Sequence, residues 1–321
     1  MGIDNISDDW VQWFMPHTYE RLSEVRAEGD LCFAHYTSAE ALLNILRSRQ
    51  VWFRNAGTMN DFSEVEHGLT MLAEAWESEP GKDLRQLLDG LNDGMVDELV
   101  AHHNGWQPTY TEQTYLFAVS EHKHSDADYG RLSMWREYAR KSGVALLLNR
   151  EPFETDTNLL KAYTTPVMYV LKDEFIANFD RIRSAVRDNR DDLAKLDPAL
   201  LVGAVFQAFR FMALSTKHPG FEEEREWRVI YNPTMESSPY FQERIEVIGG
   251  VPQKFYALKL ETIESDGQTL DLSPNALVQK VIIGPTLYQR TIGEAIVHAL
   301  TSAGVEDAGN KVTYSNIPVR T

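Results

Sequence analysis

The last third of the chain is a succession of short aromatic and β-branched runs, and this pattern constrains the fold most. It predicts five strands, Trp227–Tyr231, Arg244–Ile248, Lys254–Leu260, Lys280–Ile283 and Lys311–Tyr314. Longer helical patterns precede them, near residues 62–103 and 173–215. Because strands and helices neither alternate strictly nor form separate blocks, we predict an α+β fold of mixed or antiparallel β-sheets with helical insertions.

The domain organisation follows from the same patterns. Residues 1–30 are predicted to form an N-terminal helical segment docked on the core, with Pro16 interrupting it. Residues 31–321 are predicted to form a single α+β domain of the catalytic type, which contains both helical insertions. No strand runs into a Gly-x-Gly-x-x-Gly turn, so a Rossmann-type enzyme is disfavoured.

The charge and the cysteine content narrow the classes of partner. The formal net charge of −17 disfavours stable, nonspecific binding to nucleic acid, although transient access to a nucleic-acid substrate stays open. Cys32 is the only cysteine, so no internal disulfide can form. With no signal-like start and no apolar run long enough for a membrane span, we predict a cytoplasmic protein without membrane contact.

A pair of glutamates at the start of the strand Trp227–Tyr231 is the first candidate for chemistry. If the strand reaches back to Glu224, its alternation puts Glu224, Glu226 and Arg228 on one face. Two carboxylates in this arrangement can have different catalytic roles: one can stabilise a developing positive charge, and the other can orient a nucleophile. The alternative is a solvated acidic turn that leads into a core strand.

A second candidate lies between a predicted strand and a predicted helix. His35 and Tyr36 end the strand, and Thr37 is predicted to cap the helix, with Glu40 completing a capping box. A histidine at such a junction can bind a ribose hydroxyl, and a tyrosine can stack on a planar ring. The alternative is a satisfied core histidine beside a simple helix cap.

Weaker candidates occupy other strand and loop ends. Asn60 and Ser120 each end such an element, whereas Trp135 and Tyr138 are predicted to share one helical face. The histidine pairs His102-His103 and His122 with His124 lack a third ligand at a recognisable spacing, so no metal site is predicted.

Taken together, these motifs resemble a known family. In chain order they are His35-Tyr36-Thr37-Ser38, Leu43, Ile45-Leu46, Trp52, Met59-Asn60-Asp61, Phe117 with Ser120, Met134-Trp135 with Tyr138, Gly143-Val144 and Glu224-Arg225-Glu226-Trp227-Arg228. The series resembles the bacterial domain-of-unknown-function 2971 family, which is distantly similar in fold to ADP-ribosyltransferases. The resemblance implies an ADP-ribosyltransferase-like split sandwich, with NAD bound in a cleft between two packed β-sheets.

The resemblance also implies roles for individual residues. The positions similar to those of the transferases are His35 on the first core strand, Ser120 with Trp135 or Tyr138 at a middle strand, and Glu226 with Glu224 on a later strand. The middle strand departs from the transferase pattern, because it reads Phe-Ala-Val-Ser rather than Ser-Thr-Ser.

The hypothesis that joins these observations is an NAD-dependent ADP-ribosyltransferase, a glycosyltransferase that transfers ADP-ribose from NAD to a protein or nucleic-acid acceptor. His35 and Thr37 would hold the adenosine-side ribose, and Tyr36 or Tyr138 would stack on the nicotinamide. Asn60, Ser120 and Trp135 are further candidates for NAD binding.

The carboxylates would carry the reaction. Glu226 would stabilise the positive charge that develops on the ribose, and Glu224 would position or deprotonate the acceptor. Arg228 would keep Glu226 ionised.

Two alternatives stay open. One is a non-catalytic protein of the same fold that binds a nucleotide or a partner. The other is a nuclease- or glycosidase-type toxin that uses the same carboxylates without NAD. A transferase of this kind would suit a toxin or a phage-defence effector, with an antitoxin or a regulatory protein as its partner.

Overall fold

The computed structural model describes residues 8–58, 62–123, 126, 128–138, 142–155, 158–265 and 267–318. The helices in these ranges are α1 (Asp8–Phe14), α2 (Pro16–Ala27), α3 (Ala39–Ser48), α4 (Phe62–Glu77), α5 (Glu79–Leu91), α6 (Met95–Glu112), α7 (Leu132–Tyr138), α8 (Glu151–Glu154), α9 (Lys172–Asp188), α10 (Arg190–Leu193), α11 (Pro198–Leu214), α12 (Pro274–Leu277) and α13 (Gln289–Ser302). The strands are β1 (Cys32–Ser38), β2 (Gln50–Asn55), β3 (Tyr115–His122), β4 (Gly143–Leu148), β5 (Ala162–Pro166), β6 (Met168–Tyr169), β7 (Thr216–Lys217), β8 (Glu226–Tyr231), β9 (Phe241–Ile248), β10 (Val251–Lys259), β11 (Thr262–Ser265), β12 (Gln268–Asp271), β13 (Val278–Ile283) and β14 (Val312–Tyr314).

The main sheet contains ten of the described strands and is largely antiparallel. Its order is β14-β13-β4-β1-β3-β2-β10-β9, and β8 and then β5 continue from β3. Within this sheet, β13 and β14 form the parallel pair. The predicted mixed α+β class with antiparallel pairing is confirmed. The strands lie in this one sheet, with two small two-stranded sheets beside it, rather than in two large packed sheets.

The sheet divides at β3. Strand β8 pairs with β3 along one edge. On the other edge of β3, β1 pairs with the C-terminal end of the strand and β2 pairs with its N-terminal end. Ala34 of β1 is opposite Ser120, and Arg54 of β2 is opposite Leu116. The residues between them, Phe117–Val119, have neither strand opposite them in these registers. The division therefore leaves a wedge between β1 and β2, and the candidate site lies there.

The two predicted helical insertions pack together as one layer. Helices α4, α5, α6, α9 and α11 surround a common apolar core, which also includes Leu116 of β3 and Ile230 of β8. Trp10 and Phe14 of the N-terminal segment belong to the same core. Arg21 of α2 forms an ion pair with the buried carboxylate of Glu121. These contacts hold the helical layer and the N-terminal helices against the sheet.

The turn from β1 into α3 differs from its prediction by one residue. Ser38, not Thr37, is the N-cap, and its hydroxyl accepts a hydrogen bond from the amide of Ala41 at 3.1 Å. Strand β1 stays extended through Ser38 because it pairs with β4 as far as Gly143. Thr37 is thereby left within the strand, where it lines the cleft.

None of the helices in the described ranges combines the length and the apolar character that a membrane crossing requires.

Candidate functional site

A cleft of about 490 Å³ opens at the wedge between β1 and β2. The predicted site residues that line it are His35, Tyr36, Thr37, Ser120, Tyr138, Glu224 and Glu226. They come from β1, β3, α7, the start of β8 and the turn before it, so the fold joins segments far apart in the sequence. The volume is in the range of small-molecule sites, about 300–1,000 Å³.

His35 bridges the divided edge of β3. Its ring Nδ1 donates a hydrogen bond to the carbonyl of Ala118 at 2.9 Å, and the ring lies 4.8 Å from that of Phe117. Burial lowers the pKa of His35, which keeps the imidazole neutral near pH 7. With Nδ1 donating, Nε2 is left as a hydrogen-bond acceptor on the cleft wall.

Ser120 supports the loop that carries the carboxylates. Its hydroxyl donates to the carbonyl of Glu224 and accepts from the guanidinium of Arg131. Arg131 also donates to the carbonyl of Glu223, and its backbone amide donates to the hydroxyl of Tyr36 at 3.0 Å. Arg131, which the sequence analysis missed, therefore fastens this loop to both β1 and β3.

Glu224 and Glu226 reach the cleft by a different backbone path from the one predicted. Strand β8 begins at Glu226, and Glu224 ends a 3-10 turn over Pro219–Glu224. Arg225 between them is left-handed, with φ of 45°, so the period-2 alternation does not extend back to Glu224. The two carboxylates nevertheless converge, because Lys217 on β7 lies within 2.7 Å of each.

The carboxylates belong to a buried network, here called the ion cluster (Glu64, Lys217, Glu224, Glu226 and Arg228). Lys217 Nζ lies 2.7 Å from Glu224 Oε2, 2.7 Å from Glu226 Oε2 and 3.1 Å from Glu64 Oε1. Arg228 Nε lies 3.0 Å from Glu226 Oε1, and its guanidinium also binds Glu64. Three carboxylates thus share two cations, both almost fully buried.

The electrostatics of the ion cluster keep Glu226 ionised. Burial opposes the charge on Glu226, but Arg228 and Lys217 outweigh it together and hold the pKa below its usual range. Burial would likewise neutralise Lys217, but the negative charge of Glu226 and its neighbours raises its pKa overall. A fixed, charged carboxylate consequently faces the cleft beside protonated cations.

Tyr138 and Trp135, three residues apart on α7, lie in different environments. Tyr138 is 41% exposed, lines the cleft and donates a hydrogen bond to Glu224 Oε1 at 3.0 Å. Burial of the hydroxyl and the charge of Glu224 raise its pKa, so it stays a donor. Trp135 is buried behind Tyr36, their rings 4.9 Å apart, and donates to the carbonyl of Tyr129.

Of the other predicted site residues that the structure describes, Arg228 does not line the cleft. Arg228 is fully buried and acts on the site through Glu226. Asn60 lies outside the described residues. Glu64 and Lys217, which complete the ion cluster, were missed because neither stands in a recognisable motif.

Of the histidines considered as metal ligands, His102 and His122 lie on separate elements, and His124 lies outside the described residues. In the described part of the chain, no group of three or more histidine, cysteine, aspartate or glutamate side chains has an arrangement that would hold a metal ion. His102 lies on α6, with its ring 5.6 Å from that of Phe206, whereas His122 ends β3. In the ion cluster, the three carboxylates face Lys217 and Arg228 instead.

His122 predicts a pH dependence of stability. Burial lowers its pKa from 6.5 to about 4, so between these values the unfolded chain binds more protons than the folded protein. Stability should therefore fall as the pH drops from 6.5 to 4, by at most about 3 kcal/mol from this residue. Urea unfolding across this range should show a flatter profile for His122→Gln. The exposed His298→Gln is the control; equal slopes for wild type and His122→Gln would contradict the prediction.

The fold and the cleft define an α+β protein with a pair of carboxylates, Glu224 and Glu226, at a divided sheet. Residues 134–229 match the model of a family described as "Protein of unknown function (DUF2971)", which supports the resemblance to that family. The match spans α7 to β8 and so includes Tyr138, Lys217, Glu224 and Glu226. No curated protein and no solved structure matches the chain.

Proposed function

We propose that the protein is an ADP-ribosyltransferase, which cleaves the nicotinamide–ribose bond of NAD and transfers ADP-ribose to a macromolecular acceptor. One observation carries the proposal. Residues predicted separately from the sequence, His35 on β1 and Glu226 on β8 among them, line one cleft with an ionised carboxylate. The matching family is described as one of unknown function, so the support for this activity is the geometry of the cleft and the resemblance of the motifs.

The chemistry requires a negative charge beside the ribose. Breaking the nicotinamide–ribose bond builds oxocarbenium character on the ribose ring. Glu226 provides a charge fixed by Arg228 and Lys217, so little reorganisation is needed as the bond breaks. A carboxylate has about four lone-pair sites, so Glu226 keeps acceptor capacity for a ribose hydroxyl beyond these two cations.

The other cleft residues have complementary roles in the proposal. Tyr138, with its exposed ring, is the better placed platform for the nicotinamide, since Tyr36 is buried against Trp135. Nε2 of His35 and the hydroxyl of Thr37 would bind the adenosine-side ribose. Glu224, held by Tyr138 and Lys217, would position the acceptor or take its proton.

One observation favours a second candidate, a non-catalytic nucleotide-binding protein. Both oxygens of Glu226 are within ion-pair distance of a cation: its Oε1 lies near Arg228, and its Oε2 lies near Lys217. Such pairing also occurs where a buried carboxylate only stabilises the fold. This candidate predicts that NAD raises the thermal stability while nicotinamide is never released.

The test is to incubate the purified full chain with adenine-labelled NAD and bacterial lysate. Protein and nucleic acid are then separated and their label counted, and free nicotinamide is measured by chromatography. The proposal predicts nicotinamide release together with label on one class of acceptor. Thermal stabilisation by NAD without release or label would reject it in favour of the binding protein. A nuclease- or glycosidase-type toxin would instead degrade its substrate without added NAD.

A further inference from the structure

A second cavity, of about 530 Å³, lies on the opposite face of the main sheet from the cleft. Strand alternation shows this directly. Trp52 and Arg54 of β2 line the cleft, whereas Val51 and Phe53 of the same strand line the second cavity. Protein interiors are close-packed, and an apolar void of about 150 Å³ already binds small apolar molecules. A space of this size between apolar side chains can therefore take up a small apolar molecule.

The lining of this cavity is largely apolar. Strands β2, β4, β8 and β10 supply aliphatic and aromatic side chains, and helices α1 and α2 form another part of the wall. A few polar groups lie together at one side. The hydroxyls of Thr18 and Thr165 are 3.3 Å apart, and the hydroxyl of Tyr163 lies 2.7 Å from Asn158 Oδ1 and also contacts the carboxylate of Glu236.

The charge of the lining limits the chemistry of the occupant. Among the described residues that line the cavity, Glu154 is the only charged one. A carboxylate or phosphate buried there would meet no cation and one carboxylate, at a high desolvation cost. The lining therefore favours a molecule without negative charge that has an apolar body and at most a hydroxyl or an amide.

We propose that this cavity is a binding site for one uncharged, predominantly apolar small molecule, such as a medium-chain alcohol. Its polar group would lie beside the threonine hydroxyls, and its apolar body would fill the space beneath β4 and β8. The proposal is independent of any use of NAD in the cleft.

The cavity and the cleft share part of a wall. Ile45 of α3 and Phe117 of β3 line both spaces, at the wedge where β1 and β2 part. Phe117 in turn lies 4.8 Å from the ring of His35. A molecule in the apolar cavity would thus touch side chains that also form part of the cleft wall.

The test uses N-phenyl-1-naphthylamine, an uncharged fluorescent probe, with the purified full chain. Trp10 and Trp227 line the cavity, so bound probe should be excited by energy transfer from tryptophan. We expect saturable binding of one probe per chain. Decan-1-ol should displace the probe about ten-fold more effectively than decanoate, since burying the carboxylate costs more.

Variants that fill the cavity locate the site. Leu148→Trp and Leu272→Trp each place an indole in the cavity, and either should weaken probe binding about ten-fold. Binding to these variants is measured by exciting the probe directly, because the added tryptophan would alter energy transfer. Leu200→Trp makes the same change at a side chain 55% exposed on α11 and should bind as the wild type does. Two variants allow for one that fails to fold. Undiminished binding by a folded filling variant, displacement by decanoate as readily as by decan-1-ol, or no saturable binding would overturn the proposal.

Discussion

Glu226→Gln is expected to lower nicotinamide release from NAD by about two to three orders of magnitude. Glutamine keeps the shape of the side chain but removes the charge that would stabilise the oxocarbenium-like ribose. The fold should tolerate the change, because the ion cluster passes from three carboxylates against two cations to two against two. The measurement is the initial rate of nicotinamide release, with thermal unfolding of the same samples.

Glu64→Gln is the matched control for this prediction. Lys217 and Arg228 are the two cations that bind Glu226, and both also bind Glu64. Glu64, however, does not line the described cleft. Removing its charge changes the ion cluster by the same amount without changing the cleft wall. We expect a rate within about ten-fold of the wild type, corresponding to about 1.4 kcal/mol or less in the barrier.

The pair of variants separates three explanations. A large loss in Glu226→Gln alone places the required charge at the cleft wall. Equal losses in both variants would show that the rate depends on the balance of the ion cluster instead. Full activity in Glu226→Gln would refute the assigned role, even if NAD is the substrate.

Local patterns predicted the strands well, because a short aromatic or β-branched run between breakers carries its own signal. Trp227–Tyr231 was predicted and Glu226–Tyr231 is observed. The residues Tyr163–Val170 also favour an extended segment, which Pro166 places at a sheet edge. Strand β5 ends at Pro166 and pairs with β8 at an edge of the described sheet.

The path of the chain at Glu224 was not predictable in the same way. A left-handed residue is usually signalled by glycine or asparagine, but Arg225 occupies this conformation here. It is held by neighbours distant in sequence, since its carbonyl accepts from the amide of Glu121 at 2.9 Å. Its guanidinium lies 3.6 Å from Asp126. Tertiary contacts of this kind leave no local trace.

The ion cluster shows the same limit. Glu64 and Arg228 are 164 residues apart, and their contact depends on how α4 packs beside β8. No spacing rule connects two residues across such a separation. The buried position of Lys217 follows from two-residue strand β7, which the sequence pattern did not predict beyond the helical segment that ends at residue 215. The cleft wall was thus predictable in part, and the charges behind it were not.

Arg228→Leu is expected to destabilise the protein by about 3–5 kcal/mol at pH 7, the cost of removing one partner from a buried ion network. Arg228 is fully buried and donates to Glu226 Oε1 at 3.0 Å and to the carbonyl of Leu214 at 2.6 Å. Its loss leaves Lys217 as the remaining cation of the cluster against three carboxylates. Urea unfolding measures the change, and Arg187→Leu, at an exposed ion pair, should have a much smaller effect.

The pH dependence of this stability loss shows whether Arg228→Leu destabilises the protein through unpaired charge or through lost packing. In the wild type, the lowered pKa of Glu226 contributes stability that is present above its unfolded pKa and is lost as the pH falls through the folded value. In Arg228→Leu the carboxylates are buried with less compensation, which favours their protonated forms in the folded state. The folded variant then binds more protons than its unfolded chain, so acidification should reduce the stability difference between the variant and the wild type.

Adding Glu64→Gln to Arg228→Leu should restore part of the stability at pH 7, because one uncompensated carboxylate is removed. A deficit that stays constant from pH 7 to pH 5, with no rescue by the second substitution, would mean that Arg228 acts through packing rather than charge.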